Sequence, residues 1–117
     1  MTTFIGHAPG FWRHISGDAG TDPKVYPDGP IISGGKLIAL LDRFPNLWAD
    51  LSAGSGLTAM RRNTDHSLRF IERYQDRLLY GRDAADNNLM EFLNALPITE
   101  NVRQKLFAKN SLRLVPL

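Results

Sequence analysis

Short apolar runs alternate with helix-spaced apolar positions along this chain. Thr2-Thr3-Phe4-Ile5-Gly6-His7 is β-branched or aromatic and ends on a polar side chain, which predicts a short strand close to the first residue. Ala8 to Gly35 is rich in Gly, Pro and Asp and reads as one long loop, the kind that serves as a lid or binding element. Leu37, Ile38, Leu40, Leu41 and Phe44 give a helix with one apolar side, stopped by Pro45. Asn46 to Leu51 predicts a second strand, and Ser52-Ala53-Gly54-Ser55-Gly56 a flexible turn. Thr64 or Asp65 can cap a helix carrying Leu68, Ile71 and Tyr74, after which Leu78-Leu79-Tyr80 forms a third strand turning at Gly81. Leu89, Phe92, Leu93 and Leu96 mark a helix that Pro97 ends. Thr99 caps another with Val102 and Leu106, and Asn110 to Leu114 is a last short turn.

Strands separated by amphipathic helices pair in parallel, because each crossover needs a dozen or more residues. The expected fold is α/β with three such strands and additional C-terminal helices. A sheet of three strands leaves a face and two edges open, so a partner subunit or further chain is expected to cover it.

A chain of 117 residues buries about two-thirds of its surface, enough for a single domain spanning 1–117. With 43% apolar and 22% charged residues it has globular composition. Fourteen Lys plus Arg stand against twelve Asp plus Glu, for a net charge of +2. The cations are dispersed, which argues against a nucleic-acid partner. The absence of Cys removes disulfides, thiolate metal sites and Cys nucleophiles, and fits a reducing, cytoplasmic setting. No apolar run is long enough to predict a membrane span or a secretory signal.

Candidate chemistry is positional. His7, Asp50 with Ser52, and Asp83 each fall at the C-terminal end of a predicted strand, the edge where α/β proteins bind ligands. His7 is the candidate acid/base or ligand, the plain alternative being a histidine bonded to a loop carbonyl. Asp83 is the candidate metal ligand or general base, the alternative being a cap or a salt bridge to Arg82. Asp50 is a strand-end cap or turn acceptor whose direction the alternation leaves open. Trp12 and His14 in the long loop, with Arg82, are candidate substrate contacts, and His66 in a first helical turn reads as exposed. No His-x-His, His-Glu-x-x-His or Gly-x-Ser-x-Gly occurs.

Phe4-Ile5-Gly6-His7-Ala8-Pro9-Gly10, Asn46-Leu47-Trp48-Ala49-Asp50-Leu51-Ser52, Arg77-Leu78-Leu79-Tyr80-Gly81-Arg82-Asp83, and Val102 to Phe107 with Asn110 to Leu114 follow one another in an order that resembles the amidohydrolase-related (amidohydrolase 2) family. That family contains metal-dependent TIM-barrel hydrolases and decarboxylases. The resemblance covers nearly the whole chain but only the last three β/α units of the barrel, implying a partial TIM barrel. It implies that His7 ends strand 6 and handles the metal-bound water or substrate. Asp83 would be the strand 8 metal ligand, and Asn110 a structural residue of the C-terminal helix. The implied cofactor is a divalent metal, zinc or manganese, where a complete site exists. The implied substrate is a small carbonyl or carboxylate compound. Arg82 departs from the family's Thr or Ser, and the strand 1 and strand 5 histidines have no counterpart, so catalysis by this chain is an open expectation. Its partner would be the N-terminal half of the barrel. The other expectation is a non-catalytic homo-oligomeric module derived from the same fold.

Overall fold

The computed structural model describes residues 2–82 and 86–116. Three short strands, β1 (Phe4–Gly6), β2 (Leu47–Asp50) and β3 (Leu78–Leu79), form one sheet in the order β1-β2-β3. Both pairings are parallel, with Phe4 opposite Leu47 and Ala49 opposite Leu78. The chain is therefore a small α/β domain with a parallel sheet flanked by helices, as the alternation of strand and helix patterns predicts. Among the described residues no helix is long and apolar enough to cross a membrane.

Alternation along β2 sends Ala49 to one face, where it joins Leu51 and Leu78 in the buried core. Trp48 faces the other way, and the Arg113 guanidinium lies 5.0 Å over its ring. The edge strand β1 is uncovered, with Phe4 60% and Ile5 52% exposed.

The helices follow from where apolar side chains recur. In α2 (Lys36–Arg43) Leu37 and Leu41 are buried. The helix stops before Pro45, and the Arg77 guanidinium replaces the missing N–H donors, bonding the carbonyls of Leu41, Phe44 and Leu47 at 2.9–3.0 Å. In α4 (Thr64–Tyr74) Phe70, Ile71 and Tyr74 face the core. Its cap is Asn63, one residue before the two candidates, with Oδ1 accepting the His66 N–H at 2.9 Å. The Tyr74 hydroxyl donates to Asp42 Oδ1 at 2.5 Å and ties α4 to α2. Burial first, and the Asp42 carboxylate second, push this phenol up to about 12.

Two segments read as loops are helical at their starts. Pro9–Trp12 forms α1 and Arg13–Ile15 a 3-10 turn, so irregular chain begins only at Ser16. Pro9 suits a first helical position, where its missing N–H costs nothing. Ala53–Arg61 forms α3, which the run of small residues concealed. Gly56 is there for packing: a Cβ on it would lie 2.4 Å from the Leu51 carbonyl oxygen, so helix and strand end can touch only without a side chain.

At the C-terminus, α5 (Asn88–Ala95) ends before Pro97, and Thr99 caps α6 (Glu100–Gln104) through a 3.2 Å bond from the Val102 N–H. A π-helical segment (Lys105–Lys109) then leads straight into α7 (Asn110–Leu114), so the expected separate turn is part of one continuous rod. The Leu106 carbonyl accepts the Tyr80 N–H at 2.9 Å, fastening the rod to the chain leaving β3. Asn110, 1% exposed, donates to the carbonyls of Gln75 and Leu78 at 2.6 and 2.8 Å, a structural use.

His66 is half-buried rather than exposed, its ring stacked on Phe70 at 6.5 Å. Burial, helped by the Arg69 charge, holds its pKa below the ordinary histidine value of 6.5. The folded state therefore binds this proton less readily than the unfolded chain. The stability due to neutral His66 is fully present above 6.5 and is lost as pH falls through the lower folded value. Urea midpoints should fall between pH 7.5 and pH 5, and His66→Phe, which keeps the stack and cannot charge, should reduce that fall. An unchanged slope in the variant would assign the acid sensitivity elsewhere.

Candidate functional site

Parallel strands carry their C-terminal ends to one edge, and there the residues following β1, the end of β2 and the start of α3 meet. Asp50 closes β2. Its Oδ1 accepts the Ser52 N–H at 2.9 Å, and its Oδ2 accepts the Ser52 hydroxyl at 2.8 Å. Two bonds from one neighbour fix the plane of the carboxylate. His7 Nδ1 lies 3.3 Å from Asp50 Oδ2 and 3.4 Å from Ser52 Oγ. Because the hydroxyl proton is directed at Asp50, both oxygens present lone pairs to the ring. These two acceptors favour the neutral tautomer of His7 with its proton on Nδ1 and its lone pair on Nε2.

The supports of this cluster are close-packed. The Phe11 ring lies where a Gly6 side chain would be, 2.1 Å from an added Cβ, and so packs directly on the strand leading into His7. Gly81 is confined less severely: a Cβ would stand 3.0 Å from Ser52 Cβ and 3.4 Å from Asp50 Oδ1. The turns themselves are strained, since Ala8, next to His7, has φ 77°, and Ala53, next to Ser52, has φ 64°. Positive φ in a residue with a Cβ persists only where packing enforces it, and such positions gather at functional sites.

The pattern candidates are placed unequally. His7 is at the rim, with its side chain 41% exposed. Trp12 belongs to the core: it is 1% exposed, its indole N–H donates to the Asp50 carbonyl at 2.9 Å, and its ring meets Phe11 and Phe70 edge-on. It holds the strand end from beneath. His14 sits half-buried in the 3-10 turn, its carbonyl against Gly35, away from the rim contacts described above. Arg82 is exposed and borders a cavity of about 80 Å³ with Gly54, Gly81 and Asn88. Asp83, proposed both as catalytic group and as metal ligand, lies outside the described residues. Asp50, read from the sequence as a strand-end cap or turn acceptor, and Ser52 are the groups that hold His7. Their signal in the sequence is a carboxylate at a strand end followed two positions later by a hydroxyl, the spacing of an Asx turn.

The arrangement can orient an imidazole for proton transfer. It does not activate Ser52 as a nucleophile: the residue is 4% exposed, and its hydroxyl sits on the Nδ1 side, already donated to Asp50. A carboxylate behind a histidine is also the support that metal-ligating histidines receive. One histidine is no metal centre, however, since catalytic zinc takes three protein ligands. Among the described residues no group of three or more His, Asp or Glu side chains gathers. These residues alone do not fit a divalent ion.

No protein-family model, no curated protein and no solved structure matches this chain. The reading of the site rests on its geometry.

Gly81→Ala tests that geometry. The added methyl must displace Ser52 or Asp50, which should cost about 1–3 kcal/mol in urea unfolding and move the His7 ring resonances. Gly10→Ala, which meets nothing within 4 Å, should leave those resonances in place. Identical His7 spectra in the wild type and Gly81→Ala would contradict the crowded rim.

Proposed function

We propose that this chain supplies the C-terminal three β/α units of an amidohydrolase-like barrel. In that reading His7 is the proton-transfer residue of a hydrolase, or related decarboxylase, acting on a small carbonyl or carboxylate compound. The observation that carries the proposal is the His7–Asp50 contact of 3.3 Å at the C-terminal edge of a parallel sheet, where barrel enzymes place their chemistry. Order of motifs, parallel pairing and an uncovered β1 edge, where preceding strands would continue the sheet, all support it.

In the hydrolytic reaction the Nε2 lone pair of His7 takes a proton from a water molecule as the water oxygen bonds to the substrate carbonyl carbon. The imidazolium then returns that proton to the leaving group as its bond to carbon breaks. Asp50 stabilises the transient positive charge through Nδ1, and Ser52 keeps the carboxylate in plane. In the decarboxylation the carbon–carboxylate bond breaks, carbon dioxide leaves, and protonated His7 delivers its proton to the carbon left with the electron pair. The described residues do not by themselves compose a ligand set for the divalent ion that the family resemblance implies, and the steps above belong to this chain's own side chains.

The full-length gene product should turn over members of a panel of aryl esters, cyclic amides and aryl carboxylic acids. His7→Asn should lower kcat by roughly 10²–10⁴-fold without lowering thermal stability. Turnover unaffected by His7→Asn, or no turnover across the panel, would refute the assignment.

A second reading, the non-catalytic homo-oligomeric module, is favoured by one feature. At the opposite end of the sheet, Phe4, Leu40, Phe44 and Leu47 line an apolar groove of about 440 Å³, with Phe4, Leu40 and Phe44 each more than 40% exposed. If copies of the chain cover this groove, light scattering should give a dimer or larger species at micromolar concentration. Phe44→Asp should then dissociate it. A stable monomer removes this reading.

A further inference from the structure

A groove separate from the rim is bordered by α2, by α4 and by the end of the irregular segment that precedes α2. None of the rim residues His7, Asp50 and Ser52 lines it. Its larger part measures about 540 Å³, and a continuation of about 310 Å³ shares Ile38, His66 and Arg69 with it. Small-molecule sites are of this size. The borders are fixed by hydrogen bonds and close packing. The Gly17 N–H donates to the Ile32 carbonyl at 2.8 Å, and the Ile32 N–H donates to Ser16 Oγ at 2.8 Å. Arg62 Nη2 donates to the Pro30 carbonyl at 3.1 Å. A Cβ on Gly35 would lie 2.5 Å from the Ile15 carbonyl oxygen, so the segment returns in direct contact with the 3-10 turn. Tyr74 and Arg73 join α4 to Asp42 of α2.

The lining combines an aliphatic surface with donors that lack acceptors. Ile15, Ile31, Ile32 and Ile38 supply the first, and Ile32 stays 51% exposed. Among the polar side chains, Asn63 Oδ1 is occupied by the His66 N–H, which leaves the Asn63 amide N–H groups as donors. His66 Nδ1 is buried with no hydrogen-bond partner among the described residues. An N–H donor would be costly there, which favours the neutral tautomer with its donor on Nε2. Arg69 is exposed, and among the described residues it makes no hydrogen bond or ion pair. Asp42 is the one carboxylate among the described residues of this lining, and Arg73 Nη2 at 2.8 Å and the Tyr74 hydroxyl at 2.5 Å already engage it. The groove therefore lacks an acceptor and a negative charge, and it offers a place for an apolar chain.

We propose that this groove binds an alkyl carboxylate, with the carboxylate on Arg69 and His66 and the chain along the isoleucines. A guanidinium fork meets a carboxylate with two parallel hydrogen bonds. One cation without a partner suits a ligand with a single negative charge. The chain contributes by leaving water for the isoleucine surface. The site does not depend on the reaction proposed at His7.

The test is an NMR titration of the chain with three probes: hexanoate, acetate, which keeps the charge without the chain, and 1-hexanol, which keeps the chain without the charge. Hexanoate should move the Ile32 and Ile38 methyl, His66 ring and Arg69 Nε signals, and bind at least about tenfold more tightly than either of the others. Arg69→Gln should bring hexanoate down to the affinity of 1-hexanol, with His7 and β3 signals unchanged to show the fold intact. Ile32→Ser should weaken hexanoate and leave acetate unaffected. Hexanoate that binds no more tightly than acetate, or equally well to the wild type and Arg69→Gln, overturns the site. Shifts confined to Phe4 and Phe44, in the apolar groove at the other end of the sheet, overturn it too.

Discussion

The end of the central strand must satisfy polar groups from several directions, and Asp50 satisfies them. Its carbonyl receives the buried Trp12 indole, and its carboxylate receives both donors of Ser52. The same carboxylate faces His7. One residue thereby joins the helix after β1, the turn into α3 and the imidazole at the edge. Removing the carboxylate would leave the Ser52 donors and Nδ1 facing an apolar replacement, a loss larger than any single hydrogen bond. Gly81, where a Cβ would stand 3.4 Å from Asp50 Oδ1, reads as a consequence of the same crowding.

The arginines belong to the same economy of backbone groups. A short sheet with many helix ends and a long loop leaves carbonyls that no strand or helix can satisfy. Guanidinium groups meet them. Arg62 holds Gly29 and Pro30, Arg77 the end of α2, Arg103 the carbonyls of Leu93 and Ile98, and Arg113 that of Asp76. A fork of donors with an unvarying charge suits this task better than a lysine would. These side chains are spent on the fold.

Much of the architecture was legible because its signals are local. Short apolar runs gave the strands, and Pro45 and Pro97 gave two helix ends. Thr99 gave a cap, and strand–helix alternation gave parallel pairing. The position of His7 at the edge followed from that topology. What escaped notice depends on contacts between distant residues. The glycines of α3 read as a turn because their use is an approach to Leu51, and Trp12 read as loop because its partner is far away in sequence. His66 is the exception: Phe70, four residues on in the same helix, stacks on it, a local pair that the spacing already contained. The pairing of Asp50 with Ser52 was visible as spacing, but its direction toward His7 required the register of β1 on β2.

The central claim is that Asp50 and Ser52 fix the proton of neutral His7 on Nδ1, the tautomer that the proposed proton transfer through Nε2 requires. Long-range ¹H–¹⁵N correlation of the imidazole, at a pH where the ring is neutral, reads this tautomer directly. The account predicts a protonated Nδ1 and an unprotonated Nε2. A ring protonated on Nε2, or one averaging between the two tautomers, would contradict it.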